Sequence, residues 1–495
     1  MKRRSVIVSN ILVVAIILMA AMSLPAGPPR PPRPHRQMNV LFIVVDDLNN
    51  RLPIYQHPEV KAPNFERLAK RSVKFDRAYS QFPLCNPSRS SFLSGRRPET
   101  AGVLDQVTNP RQAMKDVVFL PQHFRQQGYF TARVGKVFHI TQRGTESAVD
   151  FNFDDRASWD VSEDELEEVE KINAKPIELR RANIAGPSPQ WGALTVTDDQ
   201  TGDGIVARRT VKLMEQAASG NQPFFLAAGF RKPHVHWFAP KRYFDLYSPD
   251  RIQIPNEPAN DIDDIPPIAL ARRPDIRIPP DQRKEAIAAY YACISFMDAQ
   301  LGLLLDSLDR LKLWDNTVVV VVSDHGYNLG EHGGLFEKQT LFEQTVRAPL
   351  LVAAPGKRKG IASPGIVEFV DIYPTLAELC GLPRPAGLEG TSFAPLLDEP
   401  LRLWKKAAFT VVARTASRGR FAPGDMIAHS VRTHRYRYNE WGDQKTAELY
   451  DYVTDPHEYT NLINDPKFKK TAAEMRQMLK DGWRGALPPT RGKMR

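Results

Sequence analysis

The sequence predicts an α/β fold with a central, mainly parallel mixed sheet between helices, followed by a small C-terminal α+β subdomain with an antiparallel sheet. Two continuous apolar runs, Asn39–Val45 and Thr317–Val322, indicate strands that are buried on both faces, as central parallel strands are. Helical patterns alternate with strands as far as about residue 400, which is the order of an α/β domain. Beyond that point short strands and turns follow one another, and this change predicts the separate subdomain.

The first 24 residues have the composition of a signal peptide. Three basic residues, Lys2–Arg4, precede an apolar run from Val6 to Leu24, and the small residues Ala21 and Ser23 suit a signal peptidase. We expect export to the periplasm or out of the cell, with no stable membrane span after cleavage. If it stays uncleaved, the run is long enough to anchor the chain in a membrane. The paired arginines also suit a twin-arginine signal, which leaves the export route open.

Composition divides the rest of the chain and narrows its partners. Residues 25–37 are rich in proline and arginine and are predicted as an extended linker, followed by the main domain at 38–399 and the subdomain at 400–495. The formal net charge is +10, of which the leader supplies three positive charges, and this balance suits an anionic partner. Nucleic acid is not expected, because basic and acidic residues are interspersed and the sequence has no recognisable binding module. Three cysteines do not make a disulfide framework.

The remaining elements follow from periodicity and from end signals. Gly128 and Gly381 are suited to end two helices, while Asp465 and Pro466 are suited to begin the last one. The predicted helices are Pro63–Arg71, Phe119–Gly128, Glu163–Ile172, Asp203–Ala217, Asp281–Leu311, Val370–Gly381 and Pro466–Leu479. The further predicted strands are Tyr129–Val134, Pro223–Phe230, Arg347–Gly356 and Ser430–Asn439, with a strand and turn at Glu448–Leu462. Residues 141–200 and 239–280 are expected to be mostly irregular insertions that shape a pocket.

Polar residues end the two central strands. Asp46 and Asp47 follow the first apolar run, and Asp324 and His325 follow the second. Because parallel strands place their carboxyl ends at one edge of a sheet, we expect these four side chains to lie together. Carboxylates at such an edge favour a hard divalent cation. Each pair also has a simpler interpretation. Asp46 and Asp47 would merely start a polar loop, and Asp324 and His325 would merely form a buried hydrogen bond.

Cys85 occupies the most unusual stretch, Phe82–Gly95. The pattern predicts a cysteine on a proline-bearing turn that leads into a helix, with Pro87 in the first turn. A helix N-terminus lowers the pKa of a thiol and attracts an anion, and Arg89 follows one turn later. The alternative is a buried free cysteine that merely precedes a helix.

Two further strands are followed by lysine and histidine. Lys136 and His139 come after the strand Tyr129–Val134 and a glycine, a spacing that suits an oxyanion clamp with a general base. His234 follows the strand Pro223–Phe230. The alternatives are surface positions for the first two and a loop histidine bonded to the backbone for the third.

These motifs together resemble one family. Cys85-Asn-Pro-Ser-Arg89 with the following Leu-Ser-Gly95 is similar to the signature of the type I, formylglycine-dependent sulfatases. Gly135-Lys-Val-Phe-His139, Lys232-Pro-His234 and the histidine at position 325 resemble the iduronate-2-sulfatase branch of that family. The resemblance runs from about Asn39 to Leu462 and implies the alkaline-phosphatase-like architecture.

The resemblance also implies a set of roles. Cys85 would be oxidised to formylglycine by a formylglycine-generating or equivalent sulfatase-maturing enzyme, and a sulfated sugar or polysaccharide would be the substrate. One Ca²⁺ would be held by the following five residues: Asp46, Asp47, converted Cys85, Asp324 and His325. Arg89, Lys136 and Lys338 would neutralise the sulfate. His234 would protonate the leaving alcohol, and His139 would act as the base when sulfate is expelled.

The same residues are compatible with two other functions. A phosphoesterase or phosphonate hydrolase on the same fold differs in the anion that it releases. A non-catalytic binder of sulfated glycans would bind without product, although every expected charged position is filled. In the subdomain, His434, Arg435 and Arg437 are predicted either to contact a polymeric substrate or to form a solvated strand edge.

Overall fold

The two apolar runs lie side by side at the centre of an eight-stranded sheet. β1 (Asn39–Val45) is parallel to β9 (Thr317–Ser323) on one side and to β7 (Phe224–Phe230) on the other. The other strands of this sheet are β2 (Val73–Tyr79), β3 (Phe130–Gly135), β4 (Val161–Glu163), β10 (Leu350–Ala353) and β11 (Ile361–Glu368). Their order is β11-β2-β10-β9-β1-β7-β3-β4, and among the described strands of this sheet β10 alone runs against its neighbours. The predicted mainly parallel mixed sheet is confirmed.

The computed structural model describes residues 37–141, 151–184, 188–270, 277–414, 421–422, 424–442 and 446–489. Residues from Met38 onward belong to one compact unit. The predicted signal peptide and all but the last residue of the predicted linker lie outside the described residues, so both stay predictions. The proposed boundary at residue 400 likewise stays a prediction.

The continuous apolar run of β1 is explained by two separate hydrophobic cores. Leu41 and Ile43 pack into the core on one face of the sheet, together with the long helix Pro280–Arg310. Val40 and Phe42 pack into the core on the other face. Because successive side chains of a strand point to opposite faces, a strand covered on both sides needs apolar residues at every position.

Eight helices of seven residues or more lie in the described part of the chain. They are α1 (Pro63–Ala69), α2 (Cys85–Ser94), α3 (Leu120–Gln126), α4 (Leu166–Ile172), α5 (Gly202–Ala218), α6 (Pro280–Arg310), α7 (Ile372–Leu379) and α8 (Lys469–Asp481). Shorter helical turns are Pro98–Ala101, Pro110–Ala113, Lys241–Phe244, Pro267–Leu270, Glu331–Gly334, Glu343–Val346 and Ala394–Asp398. Among the described helices, α6 alone is long and apolar enough to cross a membrane. The most apolar 18-residue stretch of α6 is 89% buried inside the protein, as expected of a core helix.

Two smaller sheets complete the fold. The C-terminal sheet has the order β12 (Ala407–Arg414), β13 (Met426–Thr433), β14 (Tyr436–Trp441) and β15 (Thr446–Asp451), and all its pairs are antiparallel, as predicted. The third sheet joins β5 (Arg180–Arg181), β6 (Gln190–Leu194) and β8 (Trp237–Pro240). The insertion 141–200 was expected to be mostly irregular, yet it supplies β4, β5 and β6. These strands have only two to five residues, too few for a sequence period to show.

Buried ion pairs join the C-terminal sheet to the turn Glu343–Val346, which lies between β9 and β10 of the main sheet. Glu343 lies five residues after Lys338 and accepts hydrogen bonds from Arg432 at 3.2 Å and Arg437 at 2.5 Å. Its own backbone N–H donates to Glu458 at 2.7 Å. Arg437 is fully buried, so both interpretations of this residue as a substrate contact or a solvated edge are wrong.

A second buried network surrounds Glu368 at the end of β11. Both oxygens of this carboxylate accept hydrogen bonds from the Arg97 guanidinium at 2.8 Å. Lys405 donates to Glu368 at 2.7 Å and to Asp371 at 2.7 and 2.8 Å. The backbone N–H of Phe409, in β12, donates to Glu368 at 3.0 Å, so this carboxylate also connects the two sheets.

Candidate active site

The four strand-end residues meet as predicted. Asp46 and Asp47 follow β1, and Asp324 and His325 follow β9, its neighbour in the sheet. All four are buried, and the backbone N–H of Asp47 donates to Asp324 Oδ1 at 3.1 Å. Asp47 has φ 58°, in the left-handed region that an aspartate adopts at some cost. Successive side chains of a strand point to opposite faces of the sheet. The left-handed turn at Asp47 ends this alternation, so the carboxylates of Asp46 and Asp47 both reach the same site.

The orientation of His325 is suited to metal binding. Its Nδ1 lies 2.8 Å from the carbonyl oxygen of Gly326, so Nδ1–H donates there and Nε2 keeps its lone pair. That Nε2 faces Asp47 Oδ1 and Cys85 Sγ, each at 3.4 Å. Two sets of four side chains each bring their possible ligand atoms within 4.8 Å of one another. One set is Asp46, Asp47, Cys85 and His234, and the other is Asp47, Cys85, Asp324 and His325. Three carboxylates and one oriented imidazole fit a divalent cation.

Cys85 is the first residue of α2 and is fully buried. Its sulfur is 3.1 Å from Lys338 Nζ and 3.8 Å from Asp47 Oδ1. Burial raises the pKa of the Cys85 thiol well above its ordinary value, and Asp46 raises it further, against the opposing charge of Lys338. The expected lowering by the helix N-terminus is therefore wrong, because desolvation of the thiolate exceeds it.

Arg89 lies one turn further along α2 and is paired with two carboxylates. Its Nη2 donates to Asp46 at 2.8 Å and its Nε donates to Asp324 at 2.9 Å. Lys136 donates to the other oxygen of Asp46 at 2.7 Å. Burial alone would raise the pKa of Asp46, but Lys136 and Arg89 hold it well below its usual range. Both cations therefore keep this carboxylate ionised.

Lys338 faces the same centre from the loop after β9. Its Nζ donates to the two oxygens of Asp47 at 2.8 and 3.1 Å, besides contacting the sulfur of Cys85. Burial alone would lower the pKa of Lys338, but Asp47 and Cys85 raise it well above its ordinary value. A fixed positive charge thus lies beside residue 85.

The two other predicted histidines lie on loops that follow β7 and β3. His234 Nδ1 is 2.7 Å from the carbonyl oxygen of Val235, and its Nε2 is 3.7 Å from Asp47 Oδ2. His139 is buried on the loop that carries Lys136 and packs against Phe153, with ring centroids 6.0 Å apart. Arg89 ties that loop to the centre, because Nη1 donates to the backbone carbonyls of Lys136 and Val137. The predicted site residues are thus assembled at one edge of the sheet.

Tyr290, on α6, is a contributor that the sequence interpretation missed. Its hydroxyl donates to the carbonyl oxygen of Asp47 at 2.7 Å and accepts a hydrogen bond from the N–H of Asn49 at 3.0 Å. Tyr290 thereby supports the left-handed turn at Asp47. It is separated from that turn by more than 240 residues of chain, and nothing in the helical periodicity distinguishes it from a core tyrosine.

Comparison with known proteins finds relatives that match most of the chain. The profile of the family described as sulfatase matches residues 38–382, and a profile described as N-sulphoglucosamine sulphohydrolase, C-terminal, matches residues 330–484. A protein named sulfatase from Formosa agariphila is 34% identical over 458 residues, which cover 89% of this chain and 86% of the relative. Iduronate 2-sulfatase of Homo sapiens is 29% identical over 519 residues, which cover 86% of this chain and 91% of the relative.

A solved structure shares the fold at lower sequence identity. Phosphonate monoester hydrolase from Silicibacter pomeroyi matches with a TM-score of 0.77 and 22% identity, covering 90% of this chain and 96% of that one. The predicted alkaline-phosphatase-like architecture is confirmed, and at this level of identity the likeness concerns the fold.

Proposed function

The chain belongs to the sulfatase family, and we propose that it hydrolyses sulfate esters of a sulfated sugar or polysaccharide through a formylglycine made from Cys85 and a bound Ca²⁺. The observation that carries the proposal is the convergence on residue 85. Lys338 Nζ at 3.1 Å, His325 Nε2 at 3.4 Å and Asp47 Oδ1 at 3.8 Å surround its sulfur. An inert core cysteine would be surrounded by apolar groups instead.

The sugar class rests on similarity. The human relative is named iduronate 2-sulfatase, and another relative, 28% identical, is named ulvan-active sulfatase. The net positive charge of the chain also suits a substrate with several sulfate groups.

Ca²⁺ is proposed because most of the donors are hard oxygens. Asp46, Asp47 and Asp324 would hold it with His325 and the converted residue 85. The cation supplies positive charge beside the developing negative charge on sulfate. The formylglycine supplies the nucleophile. Arg89 and Lys136 keep the carboxylate of Asp46 ionised, and their predicted contact with sulfate stays a prediction.

The remaining residues bind the ester and move protons. Lys338 is placed to donate a hydrogen bond to a sulfate oxygen at residue 85, where it neutralises charge. Nδ1 of His234 is engaged by the Val235 carbonyl, so its proton for the leaving alcohol would be held at Nε2, on the side of Asp47. His139 would accept a proton in the step that releases sulfate.

Export and maturation complete the proposal. The leader at residues 1–24 would direct the protein to the periplasm or the exterior. A formylglycine-generating or equivalent sulfatase-maturing enzyme would have to reach Cys85 before the domain closes, because the thiol is fully buried in the folded chain.

The decisive experiment measures sulfate release from sulfated mono-, oligo- and polysaccharides, with peptide mass analysis of residue 85. Cys85→Ala should abolish release, whereas the matched control Cys380→Ala should retain it, because Cys380 lies next to Met38 and away from the centre. Protein that carries formylglycine but releases no sulfate from any substrate would overturn the proposal. If the same protein releases no sulfate but does hydrolyse matched phosphoesters or phosphonate monoesters, the alternative hydrolase is favoured.

A further inference from the structure

A second recess lies beside the reaction centre along the same edge of the sheet. The centre is built at the carboxyl ends of β9 and β1, and the next strands in order are β7, β3 and β4. A cavity of about 640 Å³ is bounded by the segments that follow these three strands. Its walls include Lys232 and His236 after β7, Ile140 after β3 and Glu165 after β4. Ligands of such sheets bind at the carboxyl ends of the strands. The cavity therefore lies beside the reaction centre, at the ends of the neighbouring strands.

The cavity and the centre share the loops that carry the two histidines. Arg231 Nη1 donates to the carbonyl oxygen of Ile140, next to His139, at 3.1 Å, and the Arg231 carbonyl accepts the N–H of His234 at 2.8 Å. The ammonium group of Lys232 donates to the carbonyl oxygens of His234 and His236. The backbone that presents the histidines to the centre is therefore also the wall of the cavity.

The lining combines an apolar face with carboxylates. Phe151, Phe238 and Phe296 contribute aromatic surface. Glu165 is 1% exposed, and its Oε1 accepts a hydrogen bond from Arg231, while its Oε2 has no hydrogen-bond partner among the described residues. A buried carboxylate oxygen without a partner is costly unless a ligand or water donates to it.

The charges that line the cavity nearly balance. The acidic residues are Glu165, Glu170 and Asp203, and the basic residues are Lys175, Arg231 and Lys232. Burial, with the charge of Lys232, lowers the pKa of His236 to about 4, so this imidazole is neutral near pH 7. An uncharged ligand with hydroxyl donors and an apolar face matches this lining better than an anion does.

We propose that this cavity binds an uncharged sugar unit of the substrate, next to the sulfated unit in the reaction centre. A sugar places its C–H face on aromatic rings and its hydroxyls on carboxylates, and the volume lies within the roughly 300–1,000 Å³ of ligand pockets. The inference rests on the proposed function. It implies that the preferred substrate is a disaccharide or longer, in which an uncharged sugar accompanies the sulfated one.

The test compares the sulfated monosaccharide that reacts fastest with disaccharides that link the same unit to an uncharged sugar on either side. We expect kcat/KM to be at least tenfold higher for one disaccharide. Val169→Trp, which fills the cavity from α4, should bring the disaccharide to the monosaccharide level through KM and leave the monosaccharide unchanged. Val453→Trp, the same change at a residue that is 71% exposed, should alter neither.

A second variant tests the inference even if Val169→Trp fails to fold. Phe238→Leu removes an aromatic face with little change in volume and should lower kcat/KM severalfold for the disaccharide alone. Equal kcat/KM for mono- and disaccharides, or equal losses on both in a folded variant, would overturn the inference while leaving the sulfatase intact. A protein that releases no sulfate from any substrate fails at the proposed function instead.

Discussion

The ammonium group of Lys338 lies 3.1 Å from the sulfur of Cys85, although 253 residues separate them in sequence. The lysine side chain is 12% exposed and also holds both oxygens of Asp47. A buried charge of this kind is compensated by its partners, and it is in place before any substrate arrives.

Cys85→Ser should bind the divalent cation but complete no more than one turnover per molecule. In the proposed mechanism the formylglycine is hydrated and carries two hydroxyls, one that attacks sulfur and one that loses its proton to expel the sulfate. A serine hydroxyl preserves size and an oxygen ligand, but it lacks this second hydroxyl. Release of the alcohol is followed beyond one equivalent of enzyme, free sulfate should not appear because it stays esterified to the serine, and cation binding is measured by calorimetry. Multiple turnover by this variant would sink the formylglycine mechanism.

Removal of the cation should lower both activity and stability. A ligand present at a hundred times its Kd stabilises the folded state by about 2.7 kcal/mol, and the gain disappears with a chelator. Thermal unfolding of wild type with EDTA, Mg²⁺ or Ca²⁺ should show the largest gain with Ca²⁺. Asp47→Asn should lose this gain, whereas Asp116→Asn, on an exposed loop residue, should keep it. An Asp47→Asn variant with the full gain contradicts the assigned site.

His234→Gln should discriminate between leaving groups. If Nε2 supplies a proton to the alcohol, the variant loses about 10²- to 10⁴-fold in kcat/KM on a sugar sulfate. It should lose far less on 4-nitrophenyl sulfate, because a nitrophenolate leaves without a proton. His429→Gln, an exposed histidine paired with Glu99, should affect neither substrate. Equal losses on both substrates would assign His234 a role in binding instead.

The Glu368 network should make stability depend on pH. Burial alone would raise the pKa of Glu368, but Arg97 and Lys405 lower it from 4.5 to about 2. The folded state thus favours the carboxylate, so this stabilisation is complete above pH 4.5 and is lost as pH falls towards 2. Glu368→Gln should destabilise by about 3–5 kcal/mol at pH 6, since it leaves buried cations without their partner.

The stability difference between wild type and Glu368→Gln should shrink steadily when urea unfolding is repeated down to pH 3. Glu99→Gln, which breaks a half-exposed pair with His429, should cost about 1 kcal/mol or less. A difference for Glu368→Gln that is constant over this range would mean that the carboxylate is not ionised in the folded protein.

Much of the site could be predicted because it lies where sequence signals are strongest. Asp46 and Asp324 follow two long apolar runs. Such runs are predicted as central strands because only a strand covered on both faces buries every one of its side chains. Their polar ends then meet by topology alone. Cys85 was found by its local motif, whereas Lys338 was assigned through the family resemblance alone, because it lies fifteen residues beyond the end of β9.

The parts that could not be predicted depend on contacts that local pattern does not encode. Arg437 sits in an alternating strand, which indicates one wet face, but the partners that bury it, Glu343 and Glu458, come from distant segments. The pKa of Cys85 was expected to fall, because a helix N-terminus is visible in sequence whereas complete burial is not. Tyr290 contacts Asp47 across 243 residues, and no period of α6 marks it.

The pairing of Glu343 with the C-terminal sheet bears on how the chain can be dissected. Glu343 lies five residues after Lys338, and its carboxylate is held by arginines of β13 and β14. A fragment that stops near residue 400 would remove two of the three arginines that compensate this carboxylate, leaving Arg347 alone, and would release the segment that presents Lys338. The two sheets should therefore unfold in one cooperative transition, and isolated catalytic fragments should neither accumulate as soluble protein nor recover activity when the missing piece is added late.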